Sequence, residues 1–241
     1  MSERLDQALA HRGLARSRSH ASELIKSGKV RLNGEISRRA SQQVVAADQI
    51  DCEIDPWVSR AAHKLIGALD QSGIEVPARV LDAGASTGGF TQVLLSRGAQ
   101  EVYAVDVGHG QLADVVREDA RVRVREGLNL RDLVSADLDG EPVDLVVADV
   151  SFISLRMLLA PLFAVLRPTG KALLMIKPQF EVGRKRLGAG GVVRSQDDRR
   201  EAIDGVIHDA AELGWTPSWR ADSKLPGPSG NLEHFACFAQ K

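Results

Sequence analysis

Val80-Leu-Asp-Ala-Gly-Ala-Ser-Thr-Gly-Gly-Phe90 decides how this chain folds. Val80 and Leu81 read as the end of a buried strand, Gly84 opens a turn, and Gly88 to Ser96 reads as a helix. A strand that passes through glycines into a helix brings backbone N–H groups close to a ligand at the helix N-terminus. The glycines at 84, 88 and 89 depart from G-x-G-x-x-G, because Ala85-Ser86 stands where the second glycine belongs. Asp82 would repel a pyrophosphate placed there and suits a ligand with a cationic amino group. S-adenosylmethionine has such a group and a sulfonium as well. A dinucleotide site is the alternative reading.

Outward from this turn, strands and helices alternate. Strands are expected at Arg79–Asp82, Glu101–Asp106, Arg121–Arg125, Asp144–Ala148 and Lys171–Ile176, with a helix at Leu155–Leu166. Nearly continuous apolar strands such as Leu145-Val-Val-Ala imply a mostly parallel sheet covered on both faces. A last helix near Arg199–Leu213 precedes Ser218–Ala221 and Leu232–Ala239, which can pair as a terminal antiparallel hairpin and bring the sheet to seven strands. Before the sheet, Ser59 is placed to cap a helix whose Ala62, Leu65, Ile66 and Leu69 form one apolar stripe.

Ligands of open α/β sheets sit outside the carboxyl ends of the strands. Asp106 ends one strand and is placed to take ribose hydroxyls, and Asn129 follows the third strand near the adenine edge. Asp149 lies just past Leu145–Ala148. Lys177 follows Leu173-Leu-Met-Ile, either as a charge leaving the sheet edge or as a functional amine. Glu233 shares a strand face with Phe235 and Cys237, an acid where apolar residues are the rule. Lys64 lies opposite its helix's apolar stripe, so periodicity alone predicts a solvated lysine.

The first 54 residues form a separate small α+β unit. Leu5, Ala8 and Leu9 give a short helix ended by Gly13, and Ser17 caps a second with Ala21, Leu24 and Ile25 inside. Val30–Leu32 and Glu35–Ile36 flank Asn33-Gly34, a tight-hairpin signal, and Val44–Val45 and Ile50–Cys52 complete the unit. Formal net charge is −1, yet residues 1–45 carry nine Lys and Arg against four Asp and Glu, net +5. Such a basic head is either a polyanion-binding surface or a solvated face. Asp55-Pro56-Trp57-Val58 reads as a linker.

Two unpaired cysteines, Cys52 and Cys237, with no CxxC pair argue against a zinc site or a disulfide framework. The Leu155–Leu166 stretch contains Arg156 and is too short to span a bilayer, and no signal peptide opens the chain. The reading is therefore cytoplasmic, with no membrane partner and no metal.

Two resemblances sharpen this. Arg4-Leu-Asp, Gly13-Leu-Ala-Arg-Ser-Arg, Leu24-Ile-Lys-Ser-Gly-Lys-Val-Arg-Leu-Asn-Gly and Asp48-Gln-Ile resemble the RNA-binding domain first described in the fourth small-subunit ribosomal protein. That resemblance implies RNA contacts from Arg4, Arg16, Arg18, Lys26, Lys29 and Arg31. Residues 59–241 resemble the TlyA family of ribosomal RNA 2′-O-methyltransferases, whose catalytic domain is similar to the FtsJ/RrmJ heat-shock methyltransferase. Ser59-Arg-Ala-Ala-His-Lys-Leu, Asp82-Ala-Gly-Ala-Ser-Thr-Gly-Gly-Phe-Thr, Ala148-Asp-Val-Ser-Phe-Ile-Ser, Ile176-Lys-Pro-Gln-Phe-Glu and Gly230-Asn-Leu-Glu carry it. It implies a Rossmann-like class I fold, S-adenosylmethionine as cofactor, and a Lys-Asp-Lys-Glu tetrad on Lys64, Asp149, Lys177 and Glu233. Lys177 would be the base for a ribose hydroxyl. Gly84, Ser86, Thr87, Gly88, Gly89 and Phe90 would join Asp82, Asp106, Asn129 and Asp149 around the cofactor.

Pro178–Arg200 carries six basic against three acidic residues and four glycines, which suits a mobile RNA-contacting flap using Arg184, Lys185 and Arg186, or an inert surface loop. The family resemblance implies a cytidine in ribosomal RNA as substrate, of the large subunit and, for longer members, of the small one too. A short stretch before the head favours the large. The rival readings are a pore-forming haemolysin, the activity behind the family's older name, and a non-catalytic ribosome-assembly factor.

Overall fold

Described residues of the computed structural model are 2–15, 17–53 and 55–240, in two units, residues 1–56 and 57–241. Arg16 and Ile54 lie outside the described residues.

In the first unit, β1 (Ser2–Arg4) leads directly into α1 (Leu5–His11) and is followed by α2 (Arg18–Lys26), β2 (Val30–Leu32), β3 (Glu35–Ile36), β4 (Gln43–Val45) and β5 (Ile50–Cys52). Strand β1 was not foreseen, because three polar residues carry no alternation. It forms by pairing antiparallel with β4, Arg4 opposite Gln43. β2 pairs with both β3 and β5, and its turn to β3 has positive φ at Asn33 and Gly34, the geometry an Asn-Gly hairpin favours. Ser17 caps α2, its hydroxyl accepting from the His20 N–H at 3.2 Å. Leu5, Ala8, Leu9, Ala21, Leu24, Ile25 and Val30 form the core, in the faces the periodicity predicts.

Asp6 is the buried polar member of this unit. Its carboxylate accepts two bonds from the Arg4 guanidinium, each 2.9 Å, and one from Arg18 at 3.0 Å. These donors, Arg4 first, hold its carboxyl well below the usual range, at about 2.

The second unit is a sheet with a helical layer on each face. Its elements are α3 (Ala61–Ser72), β6 (Arg79–Ala83), α4 (Gly89–Ser96), β7 (Glu101–Asp106), α5 (Asp114–Arg117), β8 (Val122–Glu126), β9 (Val143–Ala148), α6 (Leu159–Ala164), β10 (Leu166–Ile176), α7 (Pro178–Glu181), α8 (Gln196–Glu212), β11 (Trp215–Asp222) and β12 (His234–Gln240). The seven strands lie in the order β11-β12-β10-β9-β6-β7-β8. β10, β9, β6, β7 and β8 pair in parallel, and β12 runs antiparallel to both β10 and β11. Strand residues alternate between two cores. Leu81, Val146, Leu174 and Phe238 face α6 and α8, while Val80, Val147, Leu173 and Phe235 face α3 and α4.

Several boundaries differ from expectation, each for a local reason. The expected helix at 155–166 is a 3-10 turn at Leu155–Met157 followed by α6, and Leu166 already belongs to β10. Pro161 lacks the N–H that would join the two pieces. α8 starts three residues early because the Ser195 hydroxyl accepts from the Asp198 N–H at 3.1 Å. β12 starts after Glu233, and β11 extends to Trp215. Ser59 does not cap α3, whose N-cap is Arg60. Trp57 and Val58 pack with the second unit's core, so they belong to that unit and not to a linker. No helix among the described residues is long and apolar enough to cross a membrane.

The Asp6 cluster makes a stability prediction. A carboxyl depressed from ~3.9 to about 2 contributes about 2 kcal/mol, present above the ordinary carboxylate range and lost as pH falls through about 2. Asp6→Asn should therefore lower amide-exchange protection across α1 and α2 about 30-fold at neutral pH. The native protein should approach the mutant only below about pH 3, as read by exchange mass spectrometry.

Candidate active site

The sheet's polarity assembles the site. Parallel strands β6, β9 and β10 finish at one edge, and the reversed β12 begins there. Asp149 follows β9, Lys177 follows β10, and Glu233 precedes β12. Because Ile176 pairs with His234, Lys177 and Glu233 leave the edge side by side. Period-two alternation carries all three onto the face of Val147, Met175 and Phe235, where α3 packs.

From α3, Lys64 reaches the same place. Its Nζ donates to Glu233 Oε2 at 2.5 Å, and Lys177 Nζ lies 2.6 Å from Asp149 Oδ1 and donates to Ser151 Oγ at 2.7 Å. Lys64 is only 7% exposed, which overturns the solvated lysine that periodicity predicts. Helix α3 is covered on a second face by the segment before β12, close enough that a Cβ on Gly67 would lie 3.5 Å from the Lys224 side chain. Buried charges require partners, and the two lysines and two carboxylates supply them to one another.

Three cavities adjoin this cluster. The first, about 380 Å³, is lined by Ser59, Arg60, Lys64, Gly84, Ser86, Thr87, Gly89, Phe90, Asp149, Ser151, Lys177 and Glu233. The second, about 510 Å³, joins Gly84, Ser86, Asp106, Asn129 and Asp149 to apolar walls from Leu128, Leu130, Val150, Ile153 and Leu158. The third, about 710 Å³, lies between Phe152, Lys177, Gln179, Phe180, Arg184, Ser229, Asn231 and Glu233. Ser151 lines all three. Gly84 has φ +85°, and a Cβ there would stand 2.9 Å from the Asp149 carbonyl oxygen, so only glycine lets the loop pass β9. Ser86 takes φ +49°, and its N–H donates to Asp106 Oδ2 at 2.9 Å, which fixes the loop against that carboxylate.

Two of the residues expected to hold the cofactor lie off the cavity walls. Gly88 sits under Leu112, where an added Cβ would come within 2.8 Å of that side chain, so it serves packing. Asp82 is 0% exposed and lines none of the three cavities, so it does not face a ligand's amino group. Its Oδ2 accepts from Thr91 Oγ1 at 2.6 Å, which ties β6 to α4 on either side of the glycine loop. Its Oδ1 finds no hydrogen-bond partner among the described residues. Burial pushes this carboxyl up to about 7, against the pull of Thr91.

Sequence reading missed Ser151, Arg60, Phe152 and Phe180. Phe152 is 92% exposed with φ +65°, and its ring centroid lies 5.5 Å from that of Phe180. An aromatic three residues past a site acid, in a chain with 4% aromatics, was the available signal. The 178–200 segment is built of α7, two 3-10 turns and the start of α8, and is held by Asn231, which accepts from the Val193 N–H at 2.9 Å and donates to the Gly191 carbonyl at 3.0 Å. Within it Arg184 and Lys185 are exposed, whereas Arg186 pairs with Glu201 at 2.6 Å and with Asp198. In the first unit Lys26, Lys29 and Arg31 are exposed, while Arg4 and Arg18 engage Asp6.

A Rossmann-like sheet with a reversed strand beside its edge, a glycine turn after β6 and an acid ending β7 define a class I methyltransferase fold. The family model for FtsJ-like methyltransferases matches residues 57–240 and that for the S4 domain residues 3–50. The chain belongs to the FtsJ-like methyltransferase family, in its TlyA branch. It is 48% identical to the 16S/23S rRNA (cytidine-2′-O)-methyltransferase TlyA of Mycobacterium tuberculosis, over 96% of this chain and 88% of that one. It is 34% identical to the 23S rRNA (cytidine-2′-O)-methyltransferase TlyA of Campylobacter jejuni, over 91% and 92% of the two chains. A solved hemolysin-named protein from Streptococcus thermophilus superposes with a TM-score of 0.78 at 34% identity, covering 100% of this chain and 89% of the other.

Asp82 gives the second unit one pH-dependent contribution to stability. With the folded value above that of the unfolded chain, its contribution is complete below ~pH 4 and is lost as pH rises through about 7. The tryptophans at 57, 215 and 219 all lie in this unit, so their fluorescence reports its unfolding. Asp82→Asn should flatten the fall in denaturation midpoint that the native protein shows between about pH 4 and pH 7.

Proposed function

We propose that this chain transfers a methyl group from S-adenosylmethionine to the ribose 2′-oxygen of a cytidine in large-subunit ribosomal RNA. One observation carries the reading: Lys177, braced by Asp149 and Ser151, lines both the first and the third cavity, and the Ser151 it donates to lines all three. The cofactor supplies an electrophilic methyl on sulfonium. The first two cavities fit its two halves. Asp106 would receive the ribose hydroxyls, Asn129 an edge of the adenine, and Leu128, Leu130, Val150 and Ile153 its faces. Arg60 and the first turn of α3 would receive the carboxylate of the methionine tail.

In its neutral form Lys177 Nζ would take the proton of the 2′-hydroxyl while that oxygen receives the methyl group the cofactor supplies. Asp149 and Ser151 fix the direction of that amine, and the Lys64–Glu233 pair closes the wall beside it. The third cavity takes the nucleotide, whose base would stack on the exposed Phe152 ring. Lys26, Lys29 and Arg31 of the S4 domain, with Arg184 and Lys185, would meet RNA phosphates. Arg16 belongs to the same proposal by sequence alone. Arg4 and Arg18 act first as the clamp on Asp6, and Arg186 as a partner of Glu201, so they rank behind the others as phosphate ligands. Both TlyA relatives have 23S rRNA in their names, which favours the large subunit, and a ribosomal substrate would put the work in the cytoplasm.

Lys177→Ala should lower tritiated-methyl transfer to unmodified ribosomal subunits by about 10³-fold while cofactor affinity changes less than about twofold. Loss of cofactor binding would move Lys177 from proton transfer to ligand binding. Replacing both Arg184 and Lys185 with Ala should reduce the slope of log affinity against log salt by about 1 to 2, as two phosphate contacts require.

A further inference from the structure

One carboxylate near the site takes no part in this chemistry. Glu181 ends α7, the turn that begins directly after Lys177 and carries Phe180. Its Oε2 accepts from the Ser154 hydroxyl at 2.6 Å and its Oε1 from the Leu155 N–H at 2.7 Å. Both donors lie on the segment that runs from Asp149 through Ser151 and Phe152. That segment needs an anchor, because Phe152 holds a left-handed backbone, unfavourable for a bulky side chain, with its ring almost wholly in solvent. The turn around Phe152 is therefore tied to the same four residues that follow the base.

We propose that Glu181 is a positioning residue for the RNA base: its two hydrogen bonds lock the Phe152–Leu155 stretch to α7, so that Phe152 stands beside Phe180 at the mouth of the nucleotide cavity. The inference rests on the functional reading above and deepens it. Without the clamp the segment relaxes from the strained conformation and the ring leaves the stacking position. The carboxylate works as a pair of acceptors, and charge is not required. A glutamine can do the same, its carbonyl accepting from Leu155 and its amide donating to the Ser154 oxygen. Burial fits this role, since it raises the Glu181 carboxyl even against its two donors.

A double-mutant cycle tests it, because residues that act through one another are non-additive. Methyl transfer to ribosomal RNA would be measured for native protein, Glu181→Ala, Glu181→Gln, Phe152→Ala and the Glu181→Ala/Phe152→Ala double variant, with cofactor affinity measured in parallel. Glu181→Ala should raise KM for RNA about tenfold, the scale of one lost base stack, with kcat and cofactor affinity within about twofold. Glu181→Gln should stay within about twofold of native, and Glu181→Ala added to Phe152→Ala should cost less than about twofold more. Ser154→Ala removes one arm without opening a cavity and replaces Glu181→Ala if that variant does not fold. It should raise KM about threefold in the native background and not in Phe152→Ala, one hydrogen bond being at stake. Equal losses with and without Phe152, or a loss in kcat and cofactor affinity in place of KM, would overturn the inference. An inactive native protein would overturn the functional reading and this inference together, whereas an additive cycle in an active enzyme overturns this inference alone.

Discussion

Strand β12 runs against its neighbours, and that reversal is the constraint on which the site depends. In a wholly parallel arrangement each strand delivers only its last residue to the ligand edge. The reversed strand delivers its first, so Glu233 arrives beside Lys177 through the pairing of His234 with Ile176. Its backbone continues the ladder, and its side chain continues the apolar row of Phe235 and Cys237 one step past the edge. Helix α3 then answers with Lys64. Side chains from four separate stretches are held by main-chain pairing and helix packing, so their geometry belongs to the fold and not to a mobile loop.

Much of this was legible in the sequence. Alternation and glycine placement gave the parallel sheet, the crevice edge and the shared face of Glu233, Phe235 and Cys237, since these depend on local periodicity. Asp149 and Lys177 were readable as residues that follow apolar strands. Lys64 was not readable from its helix, because what buries it is a segment more than 150 residues away in sequence. The family resemblance identified it where periodicity pointed the other way. Asp82 misled for a related reason. An acid at the end of a strand looks like a ligand residue until the fold shows it turned inward to Thr91.

Phe152 illustrates a second limit. The role proposed for it rests on a left-handed φ and an uncovered ring, neither of which residue type discloses. The same holds for β1, whose three residues become a strand only because β4 offers hydrogen bonds. In both cases a long-range partner decides a local conformation. Arg4, Arg18 and Arg186 show the converse. Their basicity is plain in the sequence, and only the structure shows it already engaged by Asp6, Asp198 and Glu201.

The two ion pairs at the heart of the crevice have a wider consequence. With both lysines matched by carboxylates, the cluster carries formally no net charge and is electrostatically quiet towards a polyanion. On the function proposed, long-range capture of the nucleic acid would come from cationic patches elsewhere on the chain, while the cluster would discriminate only at contact. Division of labour of this kind uncouples how tightly an RNA is held from how fast it is altered. Selection can tune adhesion without disturbing the chemistry.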